Sequence, residues 1–155
     1  MTSDPDSPRE TPSIGVWTAG VHRLAVRVYY EDTDFTGVVY YANYLKFLER
    51  GRTDALRSAG VRHDDLLQLE TPLGFVVRKI TAEYLKPARI DDALTIETRF
   101  TAAKAARLSV EQSVLRDADL LLTASVDAAC IDLSGRPRRL PKPAAEAIAR
   151  ASAWG

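Results

Sequence analysis

Residues 28–54 read VYYEDTDFTGVVYYANYLKFLERGRTD, and the order of chemistry within this stretch decides the fold. It opens as an apolar strand and breaks into an acidic turn at Asp32-Thr33-Asp34. It tightens at Gly37 and continues as an amphipathic helix. A carboxylate just ahead of a helix N-terminus is a chemical device. The helix end offers unpaired backbone N–H donors and about half a positive charge. An anion there keeps its charge, and the same donors can polarise a carbonyl oxygen.

Working outward, His22–Tyr30 alternates, with Leu24, Val26, Val28 and Tyr30 on one face and Arg23, Ala25 and Arg27 on the other. That pattern predicts a half-buried strand. From about Tyr40 to Ala59 the period becomes helical, with Tyr41, Tyr44, Leu45, Leu48, Ala55, Leu56 and Ala59 in one stripe and Gly60 at the expected stop. His63–Leu69 reads as a second, small helix. Four strands follow, at Leu73–Leu85, about 94–101, about 108–114 and Leu121–Leu133. In the first of these Val76, Ile80, Ala82 and Tyr84 share one parity. An Ala-rich stretch, Pro143–Ala153, predicts a short C-terminal helix. The pattern alone gives an α+β fold, an antiparallel sheet with one main helix. Residues 1–20 are poor in apolar side chains and rich in Ser, Thr, Pro and Asp, so they read as a loosely attached tail, with Trp17 the one candidate for packing; residues 21–155 form the domain.

Composition narrows the function class. The formal net charge is zero, so nothing global points to nucleic acid or an anionic membrane. No apolar run approaches the ~20 residues that span a bilayer, and the acidic, Pro-rich start does not read as a secretory leader. Cytoplasm is the expected compartment. One cysteine, Cys130, and two histidines, His22 and His63, make a poor metal kit, so no metal is expected.

Within the opening stretch, Asp32-Thr33-Asp34, Phe35-Thr36, Gly37, Val38-Val39, Tyr40-Tyr41, Ala42 and Asn43-Tyr44 follow a recognisable signature. The chain resembles the hotdog-fold acyl-CoA thioesterases of the 4-hydroxybenzoyl-CoA thioesterase type, and most of all their Tol–Pal-associated (YbgC-like) branch. The resemblance runs, more weakly, from about Val21 to Pro141. It implies a five-stranded antiparallel sheet wrapped around one long helix. It implies hydrolysis of an acyl-CoA, or an acyl-carrier-protein thioester, to a free acid without any cofactor, and homodimers or homotetramers built by continuing the sheet between subunits. It also suggests a loose connection to lipid metabolism of the cell envelope.

The same resemblance assigns Asp34 the place of the catalytic carboxylate, as a nucleophile or as a general base on water. Read from the residues alone, Asp34 is more simply a cap on the turn and helix, since propensity explains an Asp at a helix start. Asp32 reads as the structural partner that closes the turn. Tyr41 falls where a backbone N–H of the first helical turn would face the thioester carbonyl. Relatives often carry His at this place, and a phenol is a poor base but a usable donor. Gly37 suits a sharp turn or close approach of substrate, and Asn43 a brace across the helix start. Phe35 and Thr36 depart from the small residues that the family favours. Coenzyme A brings phosphates, so Lys104 and Arg107 are candidate substrate contacts, with Arg136, Arg138 and Arg139 a second basic cluster. A non-catalytic acyl-thioester-binding protein is the rival reading. A hotdog dehydratase is disfavoured because the helix segment lacks the usual His.

Overall fold

The computed structural model describes residue 12 and residues 14–154. Residues 1–11 and 13 of the expected tail lie outside them. The elements in chain order are β1 (Val16–Thr18), β2 (Val21–Arg27), a 3-10 turn (Tyr30–Asp32), α1 (Asn43–Ala59), α2 (His63–Leu67), β3 (Leu73–Tyr84), β4 (Ala93–Lys104), β5 (Arg107–Arg116), β6 (Asp119–Asp132) and α3 (Lys142–Ala151). The strands form one antiparallel sheet in the order β1-β2-β4-β5-β6-β3. Its inner face holds α1, and the predicted α+β hotdog architecture is the one observed.

The sheet has six strands rather than the expected five. The extra strand, β1, falls inside the stretch read as a loose tail. Three residues are too few for a periodic signal. They are recruited by the open edge of β2, pairing Val16 with Arg23, Trp17 with His22 and Thr18 with Val21. Trp17 then donates its indole N–H to the Ala55 carbonyl of α1 at 3.0 Å and packs against Phe100. Gly15 donates its N–H to Asp54 Oδ2 at 2.7 Å. His22 is fully buried beneath this strap, with Nε2 2.9 Å from the same Asp54 oxygen.

Helix α1 buries Tyr44, Phe47, Leu48, Gly51, Ala55 and Leu56. These positions follow the i, i+3, i+4, i+7 spacing of a single face. Tyr44, Leu48, Ala55 and Leu56 belong to the predicted stripe, and the buried face is shifted from it toward Phe47 and Gly51. Phe47, absent from the stripe, is fully buried, whereas Leu45 and Tyr41 are exposed. Gly51 explains the shift. A Cβ there would lie 2.6 Å from Ile96 Cγ2 and 3.1 Å from Thr98 Oγ1, so the missing side chain lets the helix touch β4. Around this contact sits a polar waist: Gln112 donates to the Leu48 carbonyl and to Thr98 Oγ1, both at 2.9 Å, and accepts from Arg52 at 3.0 Å. The apolar core lies on both sides of the waist. One cluster gathers Phe47, Leu48, Leu94, Ile96 and Leu122, the other Leu56, Phe100, Leu108, Val110 and Ile148. Gly60, at φ +101°, closes the helix with its N–H on the Arg57 carbonyl, and Val61 N–H returns to Leu56.

β3 corrects a second expectation. The pairing with β6 slips between Val77 and Lys79, so a bulge at Arg78 reverses the parity. Ahead of it Leu73, Phe75 and Val77 share the inner face with Ile80, Ala82 and Tyr84. Val76 sits on the outer face, although strict alternation groups it with Ile80. β3 bonds only to β6 among the described strands, leaving its other edge open along twelve residues.

Candidate active site

The loop that leads from β2 into α1 is pinned to the chain ahead of β4. Val28 N–H donates to the Asp92 carbonyl at 2.9 Å, Asp91 N–H to Val28 at 3.0 Å and Ile90 N–H to Gly37 at 3.0 Å. Within it a tight turn runs from Asp34 to Val38. Asp34 N–H donates to the Val38 carbonyl at 2.9 Å, and Gly37 N–H to the Asp34 carbonyl at 3.2 Å. Gly37 holds φ +83°, a region that glycine enters without steric cost, which accounts for its place in the turn.

Asp34 Oδ1 accepts two bonds from Thr36, the hydroxyl at 2.6 Å and the N–H at 2.8 Å. These bonds, the hydroxyl's foremost, hold the carboxyl below its ordinary pKa of 3.8. Asp34 is therefore an anion throughout the neutral range, with no partner for Oδ2 among the described residues. The carboxylate caps its own turn rather than the helix. The N-cap of α1 is Ala42, without a side-chain cap, and it follows Asp34 by eight positions in sequence.

Asp32 has the structural role expected of it. It is buried, and its Oδ2 accepts the Tyr29 N–H at 2.8 Å. Its carbonyl accepts the Tyr40 N–H at 3.1 Å and the Asn43 side-chain amide at 2.9 Å. Asn43 thus ties the start of α1 to the base of the Asp34 turn.

Tyr41 stands at that start. Its carbonyl accepts the Tyr84 hydroxyl of β3 at 2.7 Å, and its exposed ring leans on Tyr40, centroids 4.8 Å apart. Among the described residues the N–H groups of Tyr41 and Ala42 donate to no protein acceptor. A cleft of about 240 Å³ opens beside them, lined by Val39, Tyr41, Tyr44, Tyr84, Leu85, Lys86 and Pro87.

Lys104 and Arg107 face each other across the β4–β5 hairpin, at the far end of β4 from Ala93, whose partner Arg27 leads into the Asp34 loop. Eleven steps of strand, at ~3.3 Å each, put roughly 36 Å between the two ends. One chain therefore does not bring them to the Asp34 loop, and Arg107 is engaged with Asp127 at 2.8 Å. In the second basic cluster, Arg138 donates to Asp132 at 2.8 Å.

The sequence reading missed a second group of polar residues. Thr53 donates to Glu49 Oε1 at 2.8 Å, and His63 Nε2 lies 3.2 Å from the Thr53 hydroxyl. With Arg52 they line a cavity of about 110 Å³ whose apolar walls include Leu56, Phe75, Val77 and Leu108. Glu49 and Thr53 read as part of a solvated helix face and His63 as structural. The only available signal was their i, i+4 spacing, since His63 arrives from another helix.

An antiparallel sheet curled over one helix, with an acidic turn feeding the helix N-terminus, defines a hotdog thioesterase scaffold. The chain belongs to the thioesterase-like superfamily, whose family model matches residues 28–151. It is 44% identical over 118 residues to the acyl-CoA thioesterase YbgC of Haemophilus influenzae, covering 76% of this chain and 86% of that protein. It is 45% identical over 122 residues to the acyl-CoA thioester hydrolase YbgC of Escherichia coli O6:H1, covering 77% of this chain and 90% of that protein. The crystal structure of a probable thioesterase from Bartonella henselae superposes with a TM-score of 0.76 at 46% identity, over 78% of this chain and 99% of that one.

Proposed function

We propose that this chain hydrolyses acyl-CoA thioesters to the free acid and coenzyme A, with Asp34 as the attacking or water-activating carboxylate. The observation that carries the reading is the pairing of an ionised Asp34 with unengaged N–H donors at Tyr41 and Ala42, joined through Asp32 and Asn43. In this mechanism the thioester carbonyl oxygen takes the place of an acceptor at those donors. Negative charge that develops on the oxygen during attack is stabilised by the N–H dipoles and by the positive end of α1. Gly37 keeps the turn open to substrate, and the cleft between Tyr41 and Lys86 receives part of the thioester. The names of the relatives support coenzyme A as the carrier; an acyl-carrier-protein thioester is the alternative.

The reaction takes place between two copies, as a homodimer or a pair of dimers. The open β3 edge supports this, since long unpaired edges invite another strand and a two-fold pairing closes them. In such a dimer Lys104 or Arg107 would reach coenzyme A phosphates only from the neighbouring subunit.

The test is free-thiol release from short-chain, long-chain and aromatic acyl-CoAs by the wild type and by Asp34→Asn. Turnover that falls at least 100-fold in the variant, with unchanged circular dichroism, is the expected outcome. Wild-type protein that binds acyl-CoA without releasing thiol would favour the binding-module reading.

A further inference from the structure

The Asp34 turn and the start of α1 share one backing, the segment 85–92 that joins β3 to β4. On the turn side, Val39 N–H donates to the Ala88 carbonyl at 2.9 Å and Ile90 N–H to the Gly37 carbonyl at 3.0 Å. On the helix side, the hydroxyl of the buried Tyr44 accepts the Ala88 N–H at 2.9 Å. We propose that Arg116, the last residue of β5, is a positioning residue for this site. Through Asp92 it fixes the shared segment, and with it the spacing between Asp34 and the N–H donors of Tyr41 and Ala42. The proposal rests on the thioesterase reading and adds a residue outside the reacting groups.

The geometry singles out this contact. The sheet supports the segment at its start, where Leu85 and Lys86 N–H both donate to the Leu121 carbonyl, at 2.8 and 3.1 Å. At its far end the bonds join it to the neighbouring loop: Val28 N–H reaches the Asp92 carbonyl and Asp91 N–H the Val28 carbonyl. Arg27, in the strand that feeds the Asp34 loop, donates to the Asp91 carbonyl at 2.8 Å. Two loops held by each other can shift together. Arg116 opposes that shift from β5, on the far side of β4 from β2. Its Nη1 donates to Asp92 Oδ2 at 2.8 Å and to the Pro87 carbonyl at 3.2 Å. The same Asp92 oxygen accepts the Arg89 N–H at 2.8 Å. One guanidinium therefore holds both ends of the stretch from Pro87 to Asp92. Asp91 within it sits at φ +69°, a left-handed conformation that costs a residue with a Cβ, so the stretch depends on outside bonds to keep its shape.

Other charges stand at this corner. Asp117 and Asp119 lie near Arg116, and the Arg89 side chain near Asp92. Asp119 is engaged by Lys86 at 3.3 Å, which leaves Asp92 as the carboxylate that Arg116 bonds, with the two side chains 29% and 21% exposed. Attack on a thioester tolerates little error in the placement of carboxylate and oxyanion donors, so a looser segment costs rate more than binding.

Arg116→Met, Arg116→Lys, Asp92→Asn and the double variant Arg116→Met/Asp92→Asn test this by thiol release, each assayed at the same interval below its own Tm. Arg116→Met is expected to lose about tenfold in kcat, with KM changed less than about threefold. Arg116→Lys, which keeps a cation at Asp92, should lose less. The double variant should be no slower than the slower single one, because the two residues act through one contact. By amide hydrogen exchange, Val39 and Ile90 should exchange faster in Arg116→Met while the β4–β5 ladder holds. A lowered Tm with unchanged kcat, additive losses in the double variant, or unchanged exchange at Val39 and Ile90 would each overturn the proposal. Should Arg116→Met not fold, Arg116→Lys and Asp92→Asn carry the same comparison. Wild-type protein inactive on every acyl thioester would remove the thioesterase reading and this inference together, whereas an active wild type beside an undiminished Arg116→Met would remove the inference alone.

Discussion

At the scale of single residues, the Asp34–Thr36 pair makes a sharp prediction. The depressed pKa of Asp34 means that its active anion persists as pH falls and is lost only below the ordinary carboxylate value of 3.8. Thr36→Val removes the larger of the two causes, so the acid limb of the kcat/KM profile should move to higher pH. An unmoved limb would detach Asp34 from that titration. His22 gives the complementary case for stability. Burial pulls its pKa below 6.5, and Asp54 opposes this only in part. The unfolded chain then takes up the proton first on acidification, so stability is full above about pH 6.5 and falls as pH drops towards the folded pKa. Tm measured from pH 7.5 to 5 should decline, and His22→Gln should flatten the slope. The Asp34 turn was legible in the sequence because Asp, Thr and Gly act there within four residues. The strap over His22 was not, because its partner Asp54 stands 32 residues further on.

Among elements, α1 was legible and β3 only in part. Seventeen residues of helical period outweigh one Gly, whereas a single bulge at Arg78 inverts the parity of half a strand. The Gly51 contact predicts that helix propensity will mislead. Gly51→Ala should gain ~1 kcal/mol of intrinsic helix stability, yet its Cβ would meet Ile96 at 2.6 Å. Overpacking of that kind costs ~1–3 kcal/mol, so urea denaturation should show a net loss. β1 lay below the reach of pattern reading. Its anchor is nonetheless substantial: Trp17→Ala removes an indole bond to α1 and the packing on Phe100. A loss of ~2–3 kcal/mol is expected by chemical denaturation, somewhat less than for a fully buried Trp.

For the whole molecule, the sheet order explains what a single chain cannot supply. Asp34 and Tyr41 lie at one end of the domain, Lys104 and Arg107 at the other, and no strand pattern could have joined them. In the proposed dimer, the open β3 edge, with Val76 and Val77 exposed on it, is where a second copy would do so. Val76→Lys replaces an exposed apolar side chain of that edge with a charged one, which blunts strand pairing. Sedimentation should show dimer affinity about tenfold weaker, with thiol release falling in parallel. Undiminished activity in a monomeric variant would mean that one chain suffices.

The polar waist around Gly51, Thr98 and Gln112 also bears on motion. It divides the apolar interior into two clusters, so the two halves of α1 rest on different supports. Cooperative opening need not then cross the waist. Amide hydrogen exchange should resolve two rates along this one helix, with Tyr44–Leu48 and Ala55–Ala59 responding separately to substitutions on either side. The half that follows the Asp34 loop would be free to breathe while the other, stapled by Trp17, keeps the chain folded.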